Sequence, residues 1–132
     1  MNKDFKARER LIFNDEYNAL NYLGGIRRFK CSTDKLRTLY AEDFVEANDR
    51  QNDSPSLEEF LEYVGDYPTA TFECYAVCPE REDYRVTVEG VNLVIPETDY
   101  DAVGYFAETF HYADEFSLEH VGHNYHMRAW WD

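Results

Sequence analysis

The sequence predicts a single α+β domain over residues 1–132, with N-terminal helices followed by an antiparallel three- to four-stranded sheet and one covering helix. Three observations carry this expectation. Apolar residues repeat at helical spacing as far as Val64, and from Thr69 they alternate with a period of two. A chain of 132 residues with 44% hydrophobic and 17% aromatic content can also bury one continuous core.

Asn14 caps a first helix over 15–23, with acidic residues in its first turn and Gly24-Gly25 as its stop. Ser32 or Thr33 caps a second, whose inner face is Leu36, Leu39, Tyr40, Phe44 and Ala47 and whose other side carries Glu42, Asp43 and Glu46. Asn48 to Ser54 reads as a surface loop inside the domain. After Ser54-Pro55 a third helix places Leu57, Phe60, Leu61 and Val64 at i, i+3, i+4 and i+7, with Glu58, Glu59 and Glu62 outside and Gly65 at its end.

A strand follows in which Phe72, Cys74, Ala76 and Cys78 share a face. The next apolar residues change parity, from Tyr84, Val86 and Val88 to Val91, Leu93 and Ile95. A two-residue turn at Glu89-Gly90 would bring all six to one face, with Val88 opposite Val91. Glu-Gly is a poor primed turn, so a bulge at Gly90 within one long strand is the alternative. Either way Cys74 pairs with Val88 and Ala76 with Val86. Thr98 then caps a helix with Val103, Phe106, Ala107 and Phe110 on one side, and 124–131 is aromatic enough to favour a strand.

The charge excludes some functions. Thirteen basic groups against 27 carboxylates leave a net charge of −14, which argues against a protein held to nucleic acid by phosphate contacts and against anionic membrane surfaces. The asymmetry is internal: residues 1–50 carry a balance of about +1, and 51–132 carry nearly all the excess. No apolar run approaches the roughly 18 residues of a membrane span, and Met1 to Glu9 does not resemble a signal sequence, so a cytoplasmic location is expected. Three cysteines cannot all pair within one chain, which fits a reducing compartment; Cys74 and Cys78 read as core filler.

Among chemistry-bearing residues, His111, His120, His123 and His126 form the one set with a metal-binding flavour, but their spacing matches no recognised ligand pattern. No phosphate-binding glycine loop follows a strand, and no local signature joins a nucleophile to a base. What remains is the acidic surface. Glu42 with Glu46, and Glu58 with Glu62, are like charges at i, i+4, which mildly disfavours a helix. Four residues rise about 6 Å, close to the separation of successive phosphates, so such rows can present a crude phosphate track to a basic groove. A solvated surface is the plainer explanation for acidic runs in general.

The segment Asp101-Ala102-Val103-Gly104-Tyr105-Phe106-Ala107-Glu108 resembles the Asp-Ala-x-Gly helix of the ArdB-like antirestriction proteins. Its surroundings are similar too: an aromatic strand near Phe72 to Tyr75, an alternating strand ending Val88-Glu89-Gly90, Asn92 just after it, and Tyr125-His126-Met127-Arg128 near the end. The resemblance covers roughly 67–131. The family's Asn-Gly-Gly-Phe hairpin is replaced by Glu80-Arg81-Glu82-Asp83, and the first half has no counterpart. It implies a non-enzymatic α+β domain, carried by a plasmid or phage, that relieves restriction.

Together these observations point to an acidic phage or mobile-element inhibitor of a host nucleic-acid-targeting defence system, of the antirestriction or anti-CRISPR type, acting by protein binding and without a cofactor. Its partner would be a restriction enzyme or CRISPR effector complex, met through Glu42, Glu46, Glu58, Glu59 and Glu62 as phosphate surrogates. Two other classes stay open. One is a metal-binding protein or metal-dependent enzyme built on His111, His120, His123 and His126. The other is an oligomerising module that uses Trp130 and Trp131, one facing the core and the other outward, with a homodimer through a terminal strand edge as its simplest form.

Overall fold

The computed structural model describes every residue from Met1 to Asp132. Four helices lie against one face of a five-stranded antiparallel sheet, in the chain order α1 (Phe5–Phe13), β1 (Ile26–Ser32), α2 (Thr33–Ala41), α3 (Leu57–Val64), β2 (Thr71–Val77), β3 (Val86–Pro96), α4 (Tyr100–Phe110), β4 (Glu115–Val121) and β5 (Asn124–Trp130). The strand order is β1-β2-β3-β5-β4. The α+β class holds. The sheet has five strands rather than three or four, and the first of them sits among the helices.

The beginning of the chain departs most from expectation. Asn14 ends a helix instead of starting one: it is the left-handed C-cap of α1, its N–H donating to Arg10 O, and only a short 3₁₀ turn over Ala19–Tyr22 occupies the span expected to be helical. Asn18 caps that turn through Leu20 N. α2 begins as expected, with Ser32 Oγ accepting from Lys35 N, but it stops at Ala41. Asp43 takes a left-handed conformation (φ 63°), its N–H donates to Tyr40 O, and Phe44 N–H reaches back to Leu39 O. That is a Schellman closure, sealed by the buried pair Leu39 and Phe44. Phe44 is thus a core residue outside the helix, and Tyr40 is exposed.

α3 forms as its periodicity predicts. Ser56 and Glu59 complete a capping box, in which Ser56 Oγ accepts from Glu59 N and Glu59 Oε1 accepts from Ser56 N. The parity change in β3 is resolved by the bulge and not by the turn. Cys74 pairs with Val88 and Ala76 with Val86, then Glu73 pairs with Gly90, so Glu89 is the extra residue and Val91, Leu93 and Ile95 return to the core face. A side chain at Gly90 would meet Ala129 O at 2.9 Å, which accounts for the glycine where β5 runs alongside. Asp99 rather than Thr98 caps α4, its carboxylate accepting from Ala102 N.

One core joins the layers. Leu36 and Leu39 from α2, Phe60 and Val64 from α3, and Phe106 and Phe110 from α4 meet Phe72, Cys74, Val86, Val88, Val91, Leu93, Met127 and Ala129 from the sheet. Trp131, just past β5 and 1% exposed, closes it against Phe60, Phe110 and Tyr112 at ring distances of 5.7, 6.1 and 5.4 Å. Removing the terminal Trp pair would therefore strip the core as well as any outer contact, because only Trp130 lies on the opposite face.

Candidate protein-interaction face

α3 and α4 pack side by side through Phe60 stacked on Phe110 (6.4 Å), Tyr63 edge-on to Phe110 (6.1 Å) and Tyr67 edge-on to Phe106 (5.1 Å). Burying these rings turns the remaining positions of both helices outward. On α3 these are Glu58 and Glu62, both exposed and in no ion pair or side-chain hydrogen bond. On α4 they are Asp101, Tyr105 and Glu108, with Tyr112 just beyond its end, a spacing of i, i+4, i+7 and i+11 that forms one stripe. Tyr105 and Tyr112 are each 51% exposed.

The local field is negative. Burial and then the charges of Glu59 and Glu62 push the Tyr63 hydroxyl above its ordinary value, with Tyr105 adding to the effect. Burial, Glu59, Tyr63 and Asp53 do the same to Tyr112, with Arg50 opposing them. These mutual influences place α3, the 50–53 loop and the end of α4 in one neighbourhood. Arg50 is committed to Glu59 at 3.2 Å.

The residues expected to form the acidic site are only partly brought together. Glu58 and Glu62 lie exposed on the outer side of α3. Glu59 is drawn into the helix cap, where it also accepts from Arg50 and Tyr63, and the Ser56 backbone first among these partners holds its carboxyl below the usual range. Glu42 and Glu46 do not form a helical pair, because the Schellman turn at Asp43 separates them. The sequence points to Asp101, Tyr105 and Glu108 only through the Asp-Ala-x-Gly resemblance, not as contact residues, and to Tyr112 not at all. The i, i+4, i+7 spacing of carboxylate and phenol on the outer side of the fourth helix was the available signal.

The four histidines do not converge. His120 Nε2 and His123 Nδ1 both lie on the Glu97 carboxylate, at 2.7 and 3.1 Å, His111 sits at the end of α4 with Nδ1 2.9 Å from Glu108 O, and His126 faces away on β5. No three His, Cys, Asp or Glu side chains gather where a metal ion could be held. No family model, curated protein or solved structure matches the chain. No helix is long and apolar enough to cross a membrane.

On the opposite face of the sheet the charges neutralise one another. Arg128 grips Glu73 with two bonds (2.7 and 3.0 Å) and touches Glu115, Asn92 donates to Glu73, and Arg28 binds Glu89. Burial alone would raise the Glu73 carboxyl, but Arg128 and Asn92 more than reverse this and leave it below its ordinary value. A carboxyl lowered on folding stabilises fully above its unfolded value and loses that contribution as pH falls through the folded one. Stability should therefore decline from about pH 4.5 downward, and Glu73→Gln should flatten that decline. Denaturant midpoints across an acid pH series check this, and parallel curves would refute it.

Proposed function

We propose that this chain is a protein-binding inhibitor of a nucleic-acid-targeting defence complex, of the antirestriction or anti-CRISPR type, and that its α3–α4 face occupies a basic groove built for a nucleic-acid backbone. The observation that supports the reading is the presence of unpartnered Glu58, Glu62, Asp101 and Glu108 and exposed Tyr105 and Tyr112 on the outward sides of two helices that pack side by side. Carboxylates free of local partners keep their charge available for Lys and Arg on a target. Tyrosine supplies rigid contact area at low entropic cost, the usual chemistry of an energetic anchor. Glu59 completes the capping box of the helix that presents the face and contributes less directly to the contact.

The test separates charge from fold. Glu58→Gln, Glu62→Gln and Glu108→Gln together leave the cap and the core untouched, so the melting temperature should stay constant. Association with a restriction or CRISPR effector complex should slow about tenfold or more while dissociation changes less, because exposed charges act mainly by steering. Competition with DNA for the target should weaken in step. A folded triple variant with full inhibition excludes this face.

A further inference from the structure

β1 and β4 are the two edges of the sheet, and they differ in how they treat another strand. Every backbone bond of β4 goes to β5, so one side of Glu115–Val121 is unpaired. β4 also reaches past the helical layer: Leu118, although it pairs with core residue Met127, is 36% exposed, and His120 on the same face is exposed too; Val121, on the opposite face, is 47% exposed. β4 contains no lysine, arginine, proline or bulge, and the only carboxylates on it that could guard the edge are Glu115 and Glu119.

We propose that β4 pairs with β4 of a second copy of this chain, antiparallel about a two-fold axis through Leu118, to make a continuous ten-stranded sheet. Among the three central registers, which pair the most of the strand, charge selects one. A two-fold that keeps the helices of both copies on one side must pair residues of the same face. Centring on Ser117 sets Glu115 against Glu119, and centring on Glu119 sets it against itself. Centring on Leu118 opposes no like charges: Glu115 faces Val121, Ser117 faces Glu119, Phe116 faces His120 and Leu118 faces Leu118. The His120 ring is already held for this contact, stacked on Tyr125 at 4.7 Å and bound to Glu97. β1 gives the opposite result. A two-fold on Phe29 opposes Arg28 to Lys30, and one on Arg28 or Lys30 opposes that residue to itself. The basic edge is guarded against its own copy and the β4 edge is open to it. This pairing does not depend on the inhibitor reading, since it uses none of the α3–α4 carboxylates.

Two lysine substitutions on β4 have opposite expected signs. Leu118→Lys sets lysine against lysine at the axis and should shift the equilibrium toward monomer by about tenfold or more. Val121→Lys sets lysine against Glu115 of the second copy, twice by symmetry, and should tighten the dimer. Both sites are exposed enough for the fold to tolerate the change, which an unaltered melting temperature verifies. Sedimentation over a concentration series reads the outcome. A dimer in the parent chain, weakened by the first change and strengthened by the second, supports the register. A monomer at every concentration, assembly beyond two copies, or a dimer moved the same way by both changes overturns it. As a second readout, Leu118→Cys in a Cys31→Ser background should cross-link to itself under mild oxidation, because directly opposed strand residues fall within disulfide reach. Glu119→Cys alone in the same background should not.

Discussion

Phe60→Ala should lower stability by about 3–5 kcal/mol, a large share of the roughly 5–15 kcal/mol that holds a domain of this size together. Phe60 is wholly buried and sits edge-on to both Phe72 of β2 and Trp131 while stacking on Phe110 of α4. It is the point where α3, α4, the sheet and the chain terminus meet. Removing the ring leaves a cavity lined by other rings, which are too stiff to collapse into it. Because α3 carries Glu58 and Glu62, partner binding should fall along with the fold, and denaturant midpoint and binding should move together. That correlation is the counterpart of the glutamine triple variant, where binding falls at constant stability. A Phe60→Ala protein with an unchanged midpoint would show that α3 is anchored by something other than this ring.

The parts of the fold visible in the sequence are those whose apolar residues do the packing. α3 could be bounded from Ser54-Pro55 to Gly65 because Leu57, Phe60 and Val64 all point inward and nothing else competes. The β2–β3 register could be worked out from parity, because the core face is apolar at every position, Phe72, Cys74 and Ala76 on one strand and Val86, Val88, Val91, Leu93 and Ile95 on the other, while the outer face is mixed. β1 was missed for the opposite reason. Its inward residues are Arg27, Phe29 and Cys31 and its outward ones Ile26, Arg28 and Lys30, a pattern with almost no contrast. β4 was missed because at the margin of the sheet even its helix-side residues are largely solvent-exposed, so their types carry little burial signal. The early stop of α2 depended on a left-handed Asp43, a conformation that the side chain tolerates without announcing it.

The candidate face was legible in part for related reasons. Glu58 and Glu62 could be placed because α3 could be. Glu59, next to them in sequence, differs in function because of a three-residue spacing to Ser56 that creates a cap. The α4 stripe needed knowledge of which side of that helix is covered, and the tyrosines there looked as apolar as the phenylalanines that are buried.

α1 shows the strongest conflict between sequence and environment, and it leads to the second large effect. Its buried positions include Arg8 and Glu9, 0% and 1% exposed, where apolar residues would be expected. Arg8 donates to Val77 O (2.8 Å), Arg85 O and Tyr22 Oη (both 3.4 Å) and lies over the Tyr84 ring at 4.4 Å. Glu9 accepts from Tyr22 Oη (2.5 Å) and Arg27 (3.2 Å), so the tyrosine hydroxyl bridges the two buried charges. Burial and Glu9 push that hydroxyl far above its ordinary value, which keeps it protonated as a donor. Glu9→Gln preserves the shape of the group but removes the carboxylate that faces Arg27 directly and Arg8 through Tyr22, and buried cations left without that compensation should cost about 3 kcal/mol or more. Replacing both residues, Arg8→Met with Glu9→Met, removes the desolvation penalty along with the attraction, so the double variant should be more stable than the sum of its single changes implies. A double-mutant cycle on denaturant midpoints measures this directly. Strictly additive losses would mean that Tyr22 does not couple the two charges and that each is held by its own backbone and ring contacts alone.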